Sequence, residues 1–539
     1  MGKKLNILGV NFGHDGSVCV IKDGKLVSAL SKERVVRIKK ASGLSEELIL
    51  KVLKEANLKP EDIDAIACTE YSAYGGDFPL KLKDKNIKTF PFIYGNKKIE
   101  TKCLFFDREV DLISIPHHLA HCASAFYTSN FEQSWCFSLD SSGKFVETNS
   151  LIAFGNKNKL EWIKCPKNMV GWFYANFTLK LGVGDPLYKA GSTMALASFY
   201  EPRQETKDNI KNYINMTYDT SLAIPPVYVN SDGFDSLFVQ LSNGKQSFSN
   251  TESTSDEAKQ IASDLQYIFE ESILDTVNNR IENNEVNNLC LAGGSFLNCN
   301  INTRIKQETR FNSIHHFPAC GDDGNAVGAA LYVAHHIFDE PRQRYETKDL
   351  CYLGPSYDYI EPDYKKIASM LADGKIIGWF FSRSEYGPRA LGNRSLLADP
   401  RNDEHKTKLN SKIKKRERYR PFGPVVLEEE SHNWFDFDGP SPYMLYTAQV
   451  LQPEKIPAVL HVDNSARMQT INPETNKPYY NLVKEFFEQT GVPILLNTSL
   501  NGPGEPIVES EEDAINFLNN TGVDAIVING KLILNNGKD

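Results

Sequence analysis

Three short apolar runs separated by tight turns open this sequence, and they limit the possible folds more than any other feature. The runs at 5–11, 18–21 and 26–30 are rich in β-forming residues, with a Gly-His-Asp-Gly turn at 13–16 and a hairpin signal at Asp23-Gly24. The pattern predicts three successive strands at the start of the fold. The glycine-containing turn can wrap a phosphate with backbone N–H groups, but most tight hairpins bind nothing.

The length of the chain requires more than one domain. A chain of 539 residues exceeds what a single hydrophobic core usually serves. Helical and strand patterns alternate along it without an internal sequence repeat, which predicts the α/β fold class. The alternation breaks in a polar connection at 337–355. We therefore expect two domains, at 1–350 and 351–539.

Composition argues against several classes of protein. The net charge of −9 argues against a general nucleic-acid binder, which would present a basic face. No stretch approaches the ~18 uninterrupted apolar residues of a membrane span. The ten cysteines are scattered without a CxxC pair, which favours reduced thiols in a cytoplasmic protein over a disulfide framework.

Two histidines four residues apart are the first candidate metal ligands. His117 and His121 lie in PHHLAHCASAFY, a segment with a helical pattern. On a helix this spacing stacks both imidazoles on one face, as two ligands of one metal require. A metal site and ordinary packing explain the pair equally well. His118 lies on a different face and is expected to be structural or to face a substrate.

Two aspartates in turns are the best acidic partners for this pair. Asp140 follows a predicted strand, and Asp322 lies in the turn CGDDG. Two histidines and two carboxylates suit iron, manganese or zinc, and spacing alone does not choose between these metals. Such a metal can polarise a carbonyl or lower the pKa of a hydroxyl. Gly293-Gly294, which follows a predicted strand, offers backbone amides to a nucleotide, although a packing role is equally consistent.

The second half of the chain carries several motifs that suit phosphate binding. Its arginines lie among glycine, proline and aromatic residues at 386–395, 414–422 and 463–467, and LNTSLN at 496–501 adds amide and hydroxyl groups. Arginine is the usual choice for a bidentate grip on phosphate. We expect a pocket for phosphorylated small molecules, although each arginine taken singly could pair with a surface carboxylate instead.

Together these residues resemble a known family, the O-carbamoyltransferases of bacterial secondary metabolism, which includes the nodulation-factor, cephamycin, novobiocin and tobramycin enzymes. The resemblance covers nearly the whole chain, and it rests on the order and spacing of many stretches. These include NFGHDGSV, SKERVVRIKK, HHLAHCASAFYTS, LDSSG, LAGGSFLN, CGDDGNAVGAA, EYGPRALGNRSLLADPR, KRERYRPFGPVVLEE, HVDNSARMQT and TGVPILLNTSLNGPGEPIV. The sequence departs from the family pattern at Ser295-Phe296 and Ala195, which concerns nucleotide contacts in the first domain.

The resemblance implies an actin-like first domain, similar to the tRNA-threonylcarbamoylation ATPase, and a YrdC-like second domain. The second would form carbamoyl adenylate from carbamoyl phosphate and ATP, and the first would transfer the carbamoyl group to an acceptor. By matching positions it implies the metal ligands His117, His121, Asp140 and Asp322. It also implies a donor pocket of Arg389, Arg420, Arg467, Asn497 and Ser499, with Lys414 and Met444 nearby. It places His14 and the segment 37–40 near the ligand cleft of the first domain, and the expected catalytic residues are His14, Lys414 and Arg389.

The cofactors and partners follow from the same resemblance. We expect ATP with Mg²⁺, a divalent metal that is most simply Fe²⁺, carbamoyl phosphate and a small molecule that offers a hydroxyl. A homodimer is the base-rate expectation. Two alternatives stay open, which are carbamoylation of a macromolecule such as tRNA or a protein, and a non-catalytic actin-like nucleotide-binding regulator. The polar segment 202–256 is expected to form loops that shape the acceptor pocket.

Overall fold

The computed structural model describes residues 5–69, 80–82, 99–141, 149–218, 232–282 and 284–535, which form a mixed α/β fold built on three β-sheets. The first sheet contains β1 (Asn6–Asn11), β2 (Ser17–Lys22), β3 (Lys25–Ser31), β4 (Ala65–Cys68), β5 (Leu80–Leu82), β6 (Ile99–Phe105) and β7 (Arg108–Ser114). Two helices join its strands, α1 (Lys32–Val36) and α2 (Glu46–Glu55). The three predicted N-terminal strands are confirmed.

The second sheet and most of the helices come from the middle of the chain. Its strands are β8 (Gln133–Leu139), β9 (Ser150–Asn156), β10 (Lys159–Lys164), β11 (Asn288–Ala292) and β12 (Ser313–His316). The helices are α3 (His117–Thr128), α4 (Val170–Lys180), α5 (Pro186–Ala197), α6 (Gln204–Asp208), α7 (Ile210–Thr217), α8 (Asp232–Leu241), α9 (Asp256–Asp275), α10 (Cys299–Glu308) and α11 (Asn325–Tyr332).

The last part of the chain builds the third sheet. Its strands are β13 (Ile377–Phe380), β14 (Arg394–Ala398), β15 (Gly423–Leu427), β16 (Phe435–Asp436), β17 (Tyr446–Val450), β18 (Ser465–Ile471), β19 (Ile494–Ser499), β20 (Ala525–Ile528) and β21 (Lys531–Leu534). The accompanying helices are α12 (Thr347–Cys351), α13 (Tyr364–Ala372), α14 (Asp403–Lys408), α15 (Lys477–Thr490) and α16 (Glu511–Asn520).

The first two sheets repeat one strand order, although the sequence shows no internal repeat. In the first, β3-β2-β1 is antiparallel and β1-β4-β7 is parallel. In the second, β10-β9-β8 is antiparallel and β8-β11-β12 is parallel. Two copies of one architecture therefore face each other with unrelated side chains.

Helices α3 and α11 fill the space between these two sheets. The helix α11 packs on β1 and β2, α3 packs on β8 and β9, and the two helices touch. Small residues allow the close approach, because a Cβ on Gly328 would lie only 1.8 Å from the carbonyl oxygen of Ala120. The packing fixes α3, and with it His117 and His121, relative to the turn that precedes α11.

The polar segment at 202–256 was predicted to be irregular, and this prediction is wrong for its described residues. Helices α6, α7 and α8 run through it, and residues 219–231 lie outside the described part. Tyr213 of α7 and Leu237 and Phe238 of α8 are buried, while Lys211 and Asn212 of α7 and Gln240 of α8 are exposed. Their polar surface residues masked the helical periodicity. In the described residues no helix is long and apolar enough to cross a membrane.

Candidate functional site

His117 and His121 lie in the first two turns of α3, on one face. The helix begins at His117, with Pro116 in the N-cap position. The two Nε2 atoms are 3.1 Å apart. His118 instead is buried, and its Nδ1 lies 3.0 Å from the Ser138 hydroxyl. His118 is therefore structural, while the other two imidazoles converge.

Asp140 and Asp322 reach the same point from two different turns. Asp140 follows β8, and its Oδ2 lies 3.1 Å from His121 Nε2. Asp322 follows β12, and its Oδ1 lies 3.2 Å from His121 Nε2 and 3.4 Å from His117 Nε2. The donor atoms of all four residues lie within 4.8 Å of one another. We call this group the four-donor site.

The four-donor site has the geometry of a metal centre. Donor atoms bound at about 2.1 Å to one ion lie roughly 3–4 Å from each other. His121 Nε2 lies 3.1–3.2 Å from the other donors, and His117 Nε2 lies 3.4 Å from Asp322 Oδ1 and 3.9 Å from Asp140 Oδ2. The ring nitrogen His121 Nε2 faces one nitrogen and two carboxylate oxygens at 3.1–3.2 Å, and a single N–H can serve only one of them. The residues therefore fit a shared cation better than a closed hydrogen-bond network.

The electrostatics agree with this geometry. Burial by itself would raise the pKa of Asp322, but the positive charges of His117 and His14 hold it well below its usual range. The pKa of Asp140 is lowered in the same way, since its hydrogen bonds to His117 and His121 outweigh burial and the nearby Asp322 charge. Both carboxyl groups are therefore ionised and available as ligands.

The glycine pair Gly293-Gly294 packs against Asp140 and the residue before it. The Gly294 N–H donates to Asp140 Oδ1 at 3.2 Å, and a Cβ on Gly294 would lie 2.6 Å from that oxygen. Gly293 has φ +100°, and a Cβ there would lie 2.3 Å from the Leu139 carbonyl oxygen. The sequence left two interpretations of this pair open, a packing role and the approach of backbone amides to a nucleotide. The contacts with Asp140 and Leu139 favour the packing role.

His14 lies at the edge of the four-donor site, half-exposed. Its Nε2 lies 3.2 Å from Asp322 Oδ2, and its Nδ1 lies 3.0 Å from Asp15. The negative charge of Asp322, which outweighs burial, raises the pKa of His14 to about 9. The turn at 13–16 thus contributes a side chain to the site, and sequence reasoning did not identify Asp15.

The predicted phosphate-binding arginines form a second cluster on the third sheet. Arg467 lies on β18, Arg420 precedes β15, and Arg389 lies in the loop before β14. Burial, followed by the nearby charge of Arg467, lowers the pKa of Arg389 to about 9. We call these three residues the arginine cluster.

The arginine cluster has unusually few partners. Among the described residues none of its three guanidinium groups has a carboxylate within 4.0 Å, and Nε of both Arg389 and Arg467 is buried without a hydrogen-bond partner. The surface ion pairs considered as an alternative are therefore not seen. The negative charge of Glu417 acts on Arg420 from beyond ion-pair distance. Three close cations without an ion-paired carboxylate favour an anion between them.

The other predicted pocket residues lie beside the arginine cluster. Lys414 Nζ donates to Ser499 Oγ at 3.2 Å and to Asn501 Oδ1 at 3.0 Å, and burial lowers its pKa well below the usual range. Asn497 pairs with Gly423 across β19 and β15 and donates to the Ala390 carbonyl at 3.2 Å. Met444, in the left-handed region at φ +55°, packs against Gly423. The structure thus brings all of them together.

A short basic segment lies between the two groups. Lys40 Nζ lies 2.8 Å from Asp15, beside the four-donor site. Burial lowers the pKa of the adjacent Lys39, and the positive charges of Arg420 and Arg389 lower it further. Sequence reasoning placed 37–40 near the cleft only through the resemblance, and no pattern in the segment itself indicates that it joins two sites.

Comparison with known proteins gives matches to two family models along this chain. The model described as "Carbamoyltransferase N-terminus" matches residues 6–331, and "Carbamoyltransferase C-terminus" matches residues 368–535. The nodulation protein NolNO of Sinorhizobium fredii is 31% identical over 97% of this chain and 79% of its own length. A 3'-hydroxymethylcephem-O-carbamoyltransferase of Amycolatopsis lactamdurans is 28% identical over 96% of each chain.

Solved structures resemble the chain less closely. Full-length HypF in its phosphate- and nucleotide-bound form aligns with 62% of this chain and 47% of its own, at 15% identity and a TM-score of 0.33. This chain therefore spans about half the length of that protein.

Proposed function

Because this chain belongs to the carbamoyltransferase family, we propose that it is an ATP-dependent O-carbamoyltransferase that acts on a small molecule. One observation carries the proposal. Three partly buried guanidinium groups without an ion-paired carboxylate lie near Lys39, and two imidazoles with two carboxylates that converge on one point lie beside the Asp15 partner of Lys40, the next residue. The first group suits activation of a phosphorylated donor, and the second suits transfer.

The two activities divide near residue 350 in this proposal. The part at 1–350 is an actin-like transfer domain, and the repeated strand order of its two sheets supports this assignment. The part at 351–539, built on the third sheet, is a YrdC-like domain that activates the donor.

Activation takes place at the arginine cluster. Carbamoyl phosphate, ATP and water give carbamoyl adenylate, phosphate and pyrophosphate, so that AMP replaces phosphate as the leaving group. Arg389, Arg420 and Arg467 hold the phosphate groups, and Lys414 and Ser499 contact the nucleotide beside Asn497 and Met444. None of the three guanidinium groups is ion-paired to a carboxylate among the described residues, and their charge is therefore available to neutralise phosphate oxygens as bonds change.

Transfer takes place at the four-donor site. A divalent metal held by His117, His121, Asp140 and Asp322, for which we favour Fe²⁺, would polarise the carbamoyl carbonyl or lower the pKa of the acceptor hydroxyl. His14, which lies half-exposed at the edge of the four-donor site, would orient Asp322. The acceptor oxygen attacks the carbamoyl carbon, the bond from that carbon to the AMP oxygen breaks, and the hydroxyl proton passes to water. Carbamoyl adenylate is labile in water, and its passage between two pockets of one protein would protect it.

A hydroxyl acceptor is the simplest choice for this chain. The relative from Amycolatopsis lactamdurans is named for transfer to a hydroxymethyl group, and it matches this chain end to end.

The decisive experiment is incubation of the protein, loaded with Fe²⁺, with carbamoyl phosphate and labelled ATP. We expect AMP and pyrophosphate in stoichiometric amounts, with carbamoyl adenylate detectable by mass spectrometry when no acceptor is present. Binding of ATP by calorimetry without either product, with hydroxylated acceptors present or absent, would contradict the two-step reaction and favour a nucleotide-binding regulator.

A further inference from the structure

The loop that carries Arg389 is closed by a buried carboxylate. Glu385, which is 2% exposed, accepts hydrogen bonds at Oε1 from the backbone N–H groups of Leu391, Asn393 and Arg394, at 2.7, 2.8 and 3.1 Å. Residues 385–393, which we call the seam loop, therefore form a ring with Arg389 in its middle. Three N–H donors on one buried carboxylate oxygen hold the two ends of the loop together.

The N-terminal half of the chain holds the seam loop from the other side. Arg34 of α1, which is 3% exposed, donates to the carbonyl oxygens of Gly387 at 3.1 Å and Glu385 at 3.5 Å. The hydroxyl of Tyr386 donates to the carbonyl oxygen of Asp323, next to Asp322. The loop is thus bonded both to α1 and to the turn that supplies a donor of the four-donor site.

Gly387 allows the seam loop to pack closely against the N-terminal half of the chain. It has φ +113°, and a Cβ on it would lie 3.0 Å from the carbonyl oxygen of Pro318, in the chain leading to the same turn.

Arg389 needs such a restraint, because it lies among cations. Its guanidinium is close enough to Arg467 and Arg420 for their charges to lower its pKa. Like charges at short range repel, and in a partly buried site water screens the repulsion poorly. Without an anion bound, a loose loop would relieve the repulsion by swinging Arg389 outward. A fixed loop keeps the three cations together in advance of the ligand.

We propose that Glu385 is a positioning residue for Arg389, and that Arg34 makes the N-terminal half of the chain part of the donor pocket. The inference rests on the proposed function, in which Arg389 holds a phosphate group. It adds that the shape of the phosphate pocket is set by two buried residues that never touch the phosphate, one of them in the opposite half of the chain.

The test measures binding of carbamoyl phosphate, and of inorganic phosphate as a second probe, to the full-length protein by calorimetry. Glu385→Gln keeps the shape of the side chain but replaces the charged acceptor with a neutral one. We expect the Kd for both anions to rise at least fivefold. Hydrogen exchange at the amides of Leu391, Asn393 and Arg394 should become faster, which shows that the loop itself has loosened.

Glu340→Gln is the matched control. Glu340 is also buried, also accepts a backbone N–H with one oxygen, from Leu5 at 2.9 Å, and also has an unpartnered second oxygen, but it lies far from the seam loop along the chain and does not contact it. We expect this variant to bind both anions as the wild type does. Arg34→Lys, which keeps the charge but loses the fork of donors, should weaken anion binding and leave the Fe²⁺ content unchanged.

The outcomes separate the two proposals. Wild-type affinity in both Glu385→Gln and Arg34→Lys overturns the positioning role alone, even if the amides exchange faster. Equal weakening in Glu340→Gln overturns it as well, because the effect would then be a general loss of stability. If the wild-type protein binds neither anion and forms no AMP, both the positioning role and the proposed function are wrong.

Discussion

Gly328 of α11 lies against α3 at the point where the two helices come closest, and its replacement by alanine tests how the four-donor site is held. An alanine Cβ would lie 1.8 Å from the Ala120 carbonyl oxygen, whereas real Cβ atoms essentially never come within 3.0 Å of such a neighbour. The helices must therefore separate by about 1.2 Å or more. His117 and His121 move with α3, while Asp322 stays with α11.

Both stability and metal binding should respond. Overpacking of this kind costs about 1–3 kcal/mol, and the better helix propensity of alanine returns up to about 1 kcal/mol. We expect a net loss of about 1–2 kcal/mol, seen as a lower urea midpoint by tryptophan fluorescence. Metal sites tolerate errors of only about 0.2 Å in donor distance, so the Fe²⁺ affinity should fall at least tenfold, measured by titration.

Gly191→Ala is the control for this experiment. Gly191 lies in α5, and a Cβ there meets no atom within 4 Å. The variant should unfold at the wild-type midpoint or slightly above it and bind Fe²⁺ normally. If Gly328→Ala behaves in the same way as Gly191→Ala, the helix contact does not hold the donors in place, and the argument from packing is refuted.

Three further predictions address the site and the fold. His121→Ala should remove the metal and stop transfer while carbamoyl adenylate still forms; normal transfer would contradict the four-donor site. Arg389→Ala should lower AMP formation at least a hundredfold with metal content unchanged, and parallel loss of metal would contradict the separate pockets. Burial lowers the pKa of His335 to about 4 from 6.5, so the unfolded chain binds more protons and stability should fall as the pH drops through this window, by up to about 3 kcal/mol. In His335→Gln the urea midpoint should depend less on pH over this range, and an unchanged slope would show that this histidine is not responsible.

The convergence of the four donors could be expected from sequence because each donor is fixed by local rules. The spacing of His117 and His121 places them on one helix face, and Asp140 and Asp322 each follow a strand at a turn. The local signals give no distances between these elements, and the family resemblance only added matching positions to the partners that the turns had already suggested. The hairpin of β20 and β21 is equally local, because Asn-Gly is a type I′ turn signal and Asn529 and Gly530 take the left-handed conformation that this turn requires.

The contacts of the seam loop could not be predicted from local sequence signals. Arg34 and Glu385 are hundreds of residues apart, and the contact depends on how α1 meets a loop of the third sheet. No periodicity or turn signal encodes a contact between backbone carbonyls and a distant guanidinium. Arg394 illustrates the difficulty, because it lies in the same motif as Arg389, yet it is fully buried and donates to the Phe381 carbonyl. Local sequence does not distinguish the two arginines.

The place of α11 between the first two sheets has a consequence for synthesis of the chain. Ile7, Cys19 and Ala67 of the first sheet share one core with Ala326 and other residues of α11. A ribosome adds about 5–20 residues per second, so the inner face of the first sheet waits roughly 10–40 seconds after β7 is complete before α11 emerges. During that interval its apolar surface is uncovered. Slower translation or the absence of a chaperone should therefore reduce the yield of native protein. The free energy of unfolding of the folded chain should not change.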